Sequence, residues 1–389
     1  MEEYTVEMAL KEGDVALLSD DVLTSVAHAT GFLLQGEEVE KLAVLYQVPQ
    51  FLRHCPEDTL TIMVPRICVE VVDWSEAVQA AAAEALYPVV GTKITSLVAK
   101  QVCMASLAII NASPPGEVFD SWGEILSLIL NQVEKQDVVD LVVPAVITRA
   151  AEGHVGSRRL AARLLGSLSD VLPASSLKVV FLETILNLLE DESEPVRMMM
   201  AHSLARILEK IETETVETHV WPVLNKLMKD SSFRVRAESL KAIAAFAATH
   251  REETPRSYLY QEKIAPLFLK CCKRFGGVAE LDLRVAEDEA YLFLEVFSHA
   301  FGQLLVGLAG ENLTREGLKT SLLAFLKMVV CNGPTVRCGC VFNLPAVVQT
   351  YSSSLGAENL RGFLNALALE PDKATRVVVA AGVHQVSAV

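Results

Sequence analysis

The sequence is poor in several things that would point to a particular chemistry. Aromatic residues make up 6% of its 389 residues while hydrophobic residues make up 51%. The interior must therefore be built from Leu, Ala and Val, which suits closely packed helices. No uninterrupted run of 18 apolar residues occurs, so no membrane span is expected. Basic residues are outnumbered 34 to 49, for a net charge of −15. Phosphate backbones are bound by basic stripes, so nucleic acid is not an expected partner; the charge fits a soluble protein or one that meets basic partners. The eight cysteines, Cys55, Cys68, Cys103, Cys271, Cys272, Cys331, Cys338 and Cys340, are scattered. They form no disulfide framework, which points to a reducing compartment. The opening Met-Glu-Glu-Tyr lacks the charged and apolar regions of a signal peptide. A cytoplasmic protein is expected, with the nucleus as the alternative.

Catalytic patterns are missing as well. There is no glycine-rich phosphate loop and no zincin motif. The eight histidines are dispersed, and none stands with Ser and Asp in a nucleophile motif. Cys331, Cys338 and Cys340 lack paired C-x-x-C spacing, and Cys338 and Cys340 diverge on a helix. Cys271 and Cys272 read as one core and one surface position. No cofactor, metal or active site is expected, and the chain reads as non-enzymatic.

What the sequence does contain is a period. Asp191-Glu-Ser-Glu-Pro195-Val196-Arg197 opens one amphipathic run and Asp230-Ser-Ser-Phe-Arg-Val235-Arg236 opens the next, with Arg197 and Arg236 39 residues apart. Arg158 lies 39 residues before Arg197, and Arg337 and Arg376 repeat the same offset. The apolar residues keep step. Val196, Met200, Ala201, Leu204, Ile207, Leu208 and Ile211 form one set. Val235, Leu240, Ile243, Phe246 and Ala247 follow in register, and Ala161, Ala162, Leu165, Leu168 and Leu172 precede. Val336, Cys340, Val341, Leu344, Val347 and Val348 form another set, and Val379, Ala380, Val383 and Val386 the last. Spacings of three and four place each set on one helix face, and a fixed period of this length marks stacked helical repeats. The expected fold is all-α: a curved or superhelical α-solenoid of about nine helical pairs.

Taken in order, residues 1–19 read as an acidic N-terminal segment and 20–389 as a single solenoid. The pairs are expected at 20–34 and 36–54, 57–72 and 74–90, 93–112 and 116–134, 136–151 and 155–172, 174–190 and 193–210, 214–229 and 232–249, 257–275 and 285–308, 313–331 and 334–351, and 354–369 and 373–389. Arg236 and Arg337 lie 101 residues apart, so the repeats around 250–333 are enlarged, with a loop inserted near Gly276-Gly277. Pro65, Pro144, Pro222 and Pro266 fall inside first helices in phase, Pro144 and Pro222 being two periods apart. A helix breaker kept in phase predicts a kinked first helix.

A first helix with a central proline, a turn with Asp, and Val-Arg opening a second helix together resemble the HEAT repeat, over nearly the whole chain. More narrowly, the chain is similar to the HEAT-type subunits of the protein phosphatase 2A and 4 group. That resemblance is carried by Val48-Pro49-Gln50-Phe51-Leu52 with Pro56-Glu-Asp-Thr-Leu, by Leu186-Asn-Leu-Leu-Glu-Asp-Glu-Ser-Glu-Pro-Val-Arg197, and by Cys340-Val-Phe-Asn343-Leu-Pro345-Ala346. Subunits of that group continue beyond nine units, whereas this chain stops at Val389 inside an apolar run, so a shortened form is expected. The resemblance implies a scaffold or regulatory subunit of a serine/threonine phosphatase that binds a catalytic subunit or substrates, the chemistry belonging to the partner. An importin-like HEAT transport receptor, or another HEAT protein-interaction scaffold, is the alternative.

Within this frame Asp191, Asp230 and Asp372 read as helix caps or turn residues. Arg197, Arg236, Arg337 and Arg376 are expected to bridge repeats through the previous unit's Asp or carbonyls. Stacking sets equivalent turns side by side, so Glu192, Glu194 and Phe233, with Met198 and Met199, are the expected partner-binding ridge. Acidic side chains would steer a basic partner, and the ring would supply the desolvated contact.

Overall fold

The computed structural model describes residues 25–112, 116–250, 258–276, 289–310, 312–331, 333–355, 372–373, 375–378 and 380. All secondary structure among them is helical. The acidic segment 1–19, the loop after Gly276 and most of the ninth pair lie outside the described residues. The chain divides into two compact units, Met1–Leu172 and Pro173–Val389.

The first unit holds four pairs: α1 (Val26–Gln35) with α2 (Glu38–His54), α3 (56–73) with α4 (Glu76–Val90), α5 (Ser96–Ala112) with α6 (117–132), and α7 (135–150) with α8 (Val155–Val171). Local signals start these helices. The Ser25 hydroxyl accepts the His28 amide hydrogen bond at 3.2 Å, Glu37 and Glu40 form a capping box ahead of α2, and Ser75 caps α4. Second helices form one layer, α2 against α4, α4 against α6 and α6 against α8. Their contact faces bury Leu45, Leu86, Leu126 and Leu165 completely, each side chain contributing roughly 2 kcal/mol of transfer free energy. Trp122 on α6 is fully buried, and its indole N–H donates to the Gln79 carbonyl of α4 at 3.0 Å.

The second unit holds α9 (174–189) with α10 (Glu194–Leu208), α11 (213–227) with α12 (Phe233–Thr249), α13 (259–276) with α14 (Glu289–Leu308), and α15 (Arg315–Cys331) with a broken partner, α16 (Pro334–Phe342) and α17 (Leu344–Leu355). The scarce aromatics gather here. Phe268, Phe297, Phe301 and Phe325 form a buried chain, with Phe268–Phe301 and Phe301–Phe325 ring centroids 5.3 and 5.4 Å apart. By length and composition alone α14 could cross a membrane. Its apolar side chains Leu294, Phe297, Phe301, Leu304 and Leu308 are instead buried in the protein core. A Cβ at its Gly307 would strike the backbone of Ala247 on α12, so glycine sets that close approach.

The break after Phe342 explains the Asn343-Leu-Pro345 run. Pro345 has no N–H to continue the ladder, and the Asn343 amide spans the gap. Its Nδ2 donates to the carbonyls of Ser298 (2.7 Å), His299 (3.1 Å) and Gly339 (2.7 Å), while its Oδ1 accepts the Gly302 N–H at 2.9 Å. The segment is thus a buried tie between α14 and the break.

A π turn accompanies each in-phase proline. In α3, α7, α11 and α13 a π turn (Thr59–Met63, Val138–Val142, Val216–Val220 and Leu259–Ile264) ends just ahead of Pro65, Pro144, Pro222 and Pro266. The residue before each proline donates five residues back, Val64 to Thr59, Val143 to Val138, Trp221 to Val216 and Ala265 to Tyr260. The widened turn absorbs the missing N–H and the ring's clash with the carbonyl four residues earlier. In α9 the same turn, Leu177–Phe181, occurs with Glu183 where the others have proline, so proline favours the turn without being required for it.

The expected core sets around 161–172, 196–211, 235–247 and 336–348 are buried. Of the last set only Ala380 is described, and it is exposed; Val379, Val383 and Val386 lie outside the described residues. The buried position of that turn belongs to Thr375, whose amide and hydroxyl both donate to the Asp372 carboxylate, at 2.6 and 2.7 Å. Cys271 and Cys272 are both buried, so neither is a surface position.

Candidate partner-binding ridge

The ridge is built from the turns that join first to second helices in the second unit. In the α9–α10 turn the Asp191 carboxylate accepts the Ser193 N–H at 2.8 Å, and in the α11–α12 turn Asp230 accepts the Ser232 N–H at 2.9 Å. Asp is suited to this two-residue loop back onto the backbone. The helix proper starts after Ser193 and Ser232, so Asp191 and Asp230 lock turns and do not cap; Asp372, bonded to Thr375, does cap. One helical turn further in, the arginine folds back. Arg197 Nη1 donates to the carbonyls of Asp191 and Glu192 at 2.9 and 3.0 Å. Arg236 Nη1 donates to those of Asp230 and Ser231 at 2.7 and 3.0 Å. In the first unit Arg158 grips the carbonyls of Glu152 and Gly153 in the same way, at 3.2 and 2.7 Å. The preceding Val196 and Val235 are buried, so each Val-Arg pair anchors a helix start from both sides.

The same guanidinium also reaches its neighbour. Arg197 Nε and Nη2 donate to the Asp230 carboxylate at 2.8 and 3.0 Å, and Arg236 Nη2 meets Glu289, the first residue of α14, at 2.7 Å. The direction is the reverse of the sequence expectation. Arg197 and Arg236 each hold their own turn's carbonyls and the next unit's acid, because the side chain leans toward the helix N-terminus, where the following turn lies. Burial by itself would raise the Asp230 carboxyl, but the Arg197 hydrogen bond, the Ser232 amide and the Arg197 charge outweigh it and hold Asp230 below the usual carboxylate range. Hydrogen bonding to Asp230 raises Arg197 in turn. Further along, Thr375 hydrogen bonds, with the charges of Arg337 and Arg376, lower the Asp372 carboxyl.

The residues expected at the ridge divide into two kinds. Glu192 is exposed. Glu194 is tied down, accepting the Ser232 hydroxyl at 2.9 Å, and so links the two turns. Phe233 is the first residue of α12 and not a turn residue; it is half-buried, as are Met198 and Met199. Sequence reasoning missed a neighbouring cluster. His202 on α10 meets Glu238 on α12 at 2.9 Å, and Lys241 meets the same carboxylate at 2.7 Å. Burial would raise Glu238, but the His202 and Lys241 hydrogen bonds bring it below its ordinary value. The period could have found it, because His202 and Lys241 are 39 residues apart. Among the described residues no group of three His, Cys, Asp or Glu is placed to hold a metal ion. Burial pushes the thiols of Cys68, Cys103 and Cys340 up to about 12, so they behave as core hydrophobes.

No family profile matches the sequence. Serine/threonine-protein phosphatase 4 regulatory subunit 4 of Homo sapiens is 22% identical across 95% of this chain and 43% of its own length. The Mus musculus protein gives the same figures. The chain therefore spans less than half the length of the curated relatives it matches. Among solved structures, importin beta superposes with a TM-score of 0.63 at 14% identity, over 93% of this chain and 52% of its own. Kap95p, crystallised with RanGDP, gives a TM-score of 0.63 at 15% identity, over 93% and 47%. At such identity these structures speak to the fold alone. The chain is an all-α solenoid of the HEAT and armadillo type that resembles, along nearly its whole length, a phosphatase regulatory subunit.

Proposed function

We propose that this chain is a non-catalytic scaffold or regulatory subunit that binds a serine/threonine phosphatase catalytic subunit of the type 2A/4 group along the ridge. The observation that carries this reading is the sequence similarity over 95% of the chain to a phosphatase 4 regulatory subunit. The ridge is compatible with it. Arg197 and Arg236 are engaged with their own turns and with Asp230 and Glu289, and the exposed Glu192 stands on the edge with Phe233, Met198 and Met199 half-buried. Such an edge steers a basic partner and offers adaptable apolar contact. The importin-like alternative draws support from the solved structures, whose likeness is one of fold.

The test combines Glu192→Lys with Phe233→Ala and leaves Glu194, whose bond to Ser232 is structural. Loss of one aromatic anchor is expected to cost about 1–2 kcal/mol, a roughly five- to thirtyfold rise in Kd for a purified type 2A or type 4 catalytic subunit. The melting temperature should hold within about 2 °C, since neither residue is in the core. Failure of the parent chain to bind any such subunit, or unchanged binding by the double variant, overturns the proposal. Binding of a basic nuclear-import peptide instead would favour the alternative.

A further inference from the structure

Two neighbouring first helices of the second unit carry a charge opposite to that of the chain. α13 and α15 together hold seven cations, Lys263, Lys270, Lys273, Arg274, Arg315, Lys319 and Lys327, against two carboxylates, Glu262 and Glu316, in a chain of net charge −15. The two helices lie side by side in a fixed register. Leu269 Cδ1 of α13 stands 3.4 Å from where a Cβ on Gly317 of α15 would be. One turn on, the Tyr351 hydroxyl of α17 bonds Ser321 of α15 at 2.7 Å and also feels the charge of Cys272 on α13. Lys270 and Lys319 are therefore at one level, and Lys273 is level with Leu323. Inward, Phe268 of α13 and Phe325 of α15 both pack on Phe301 of α14, with ring centroids 5.3 and 5.4 Å away. The opposite faces look outward together. There Lys270, Lys273, Arg315, Lys319 and Lys327 are all exposed, at spacings that keep each set on one helix face.

Two of the seven cations are occupied: Lys263 lies over the Tyr258 ring at 5.1 Å, and Arg274 is engaged. No ion pair joins any of the other five to a carboxylate among the described residues, Glu262 and Glu316 included. Like charges one turn apart on a helix repel, so the pairing of Arg315 with Lys319 costs the free fold stability that an anion on the stripe restores. Geometry selects the anion. Arg315 to Lys327 runs about 18 Å at 1.5 Å per residue, the reach of about six extended residues. Leu323, 51% exposed, interrupts the cations and offers an apolar contact that a phosphate backbone does not use. A duplex or a vesicle would also extend past the stripe, over a chain in which carboxylates outnumber cations. We propose that the α13–α15 stripe docks a short acidic segment of a partner protein, its Asp or Glu side chains on Lys270, Arg315, Lys319 and Lys327 and one apolar side chain on Leu323. Charge-assisted hydrogen bonds and electrostatic steering supply the recognition. The stripe is separate from the turn ridge and does not rest on the proposed function.

The probe is a fluorescent peptide of about eight residues, Glu throughout with one central Leu, long enough to span the stripe. The control is the same peptide with Gln for Glu. The whole chain should bind the acidic peptide at least about tenfold more tightly than the control, with an affinity that falls as salt rises. Lys270→Glu with Lys319→Glu should abolish the preference at unchanged melting temperature, because both side chains are exposed. Lys93→Glu with Lys210→Glu, exposed lysines elsewhere that change the net charge equally, should leave it intact. Leu323→Ser should weaken binding about fivefold and keep its salt dependence. No preference over the Gln peptide, or an equal loss in the Lys93 and Lys210 pair, overturns the proposal. A preference that emerges only after Glu280→Gln, Asp282→Asn, Glu287→Gln and Asp288→Asn overturns it in favour of the chain's own segment between α13 and α14. Tighter, stripe-dependent binding of a DNA duplex or of phosphatidylserine vesicles overturns it in favour of nucleic acid or membrane.

Discussion

The Arg197–Asp230 link can be weighed directly. Its two side chains are 15% and 10% exposed and share two hydrogen bonds of 2.8 and 3.0 Å. At an effective dielectric constant of about 20, opposite charges about 4 Å apart attract by about 4 kcal/mol. Lost hydration of both groups offsets roughly half of that, leaving a coupling of about 2 kcal/mol, in the range of paired charged hydrogen bonds. In a double-mutant cycle, Asp230→Asn keeps an oxygen for the Ser232 amide and removes the charge, while Arg197→Gln removes the guanidinium. Each single change should lower the opening free energy of α10 and α12 by about 2–3 kcal/mol, and the double should fall short of the sum by about 2 kcal/mol. Native-state hydrogen exchange read on peptides from α10 and α12 measures this locally, with α4 as an internal control that should not move. A coupling below about 0.5 kcal/mol would refute the argument and class the pair with exposed surface ion pairs. The pH dependence has a definite sign. The folded carboxyl of Asp230 lies below its ordinary value of 3.8, so its contribution is fully present above that value and is lost as pH falls through the lower folded one. Asp230→Asn should flatten the profile in that acid window.

Two further outcomes follow from the described geometry. Asn343→Leu, of similar volume, leaves the Gly302 N–H and the carbonyls of Ser298 and His299 buried without their bonds and should cost about 3 kcal/mol or more in denaturant unfolding; a stable variant would show that the tie is dispensable. Pro222→Ala should shift stability by less than about 1 kcal/mol, since the π turn already accommodates the ring, whereas relief of a strained α-ladder would gain about 3 kcal/mol.

Much of the fold was legible because one residue type does one job at each repeat position. Val196 and Leu204 had to be inside, and the 39-residue recurrence of Val-Arg named both the period and the turn. What was not legible depended on direction or on neighbours. The arginine's choice of the next acid over the previous one is set by the lean of helical side chains, which spacing alone does not express. The prolines announced a break, yet the π turn also occurs at Leu177–Phe181 without one, so no residue type encodes it. Phe233 read as a turn residue because the turn's last polar residue, Ser232, looks no different from the one before it. Ile62, Val69 and Leu97 have the character of core residues in the sequence, and only the placement of α3, α5 and α7 shows them facing outward.

The forward reach of the arginines gives the array a polarity. Severing the second unit between α10 and α11 would leave dissimilar wounds: on one side a guanidinium still bound to its own turn but deprived of its acid, on the other a carboxylate, Asp230, that had been neutralised from behind. A designed terminal unit at the leading edge would therefore need a neutral residue in place of the arginine, and one at the trailing edge a neutral residue in place of the aspartate. Repeats excised from this protein should join head to tail in one order only, and a splice in the opposite sense would set cation against cation.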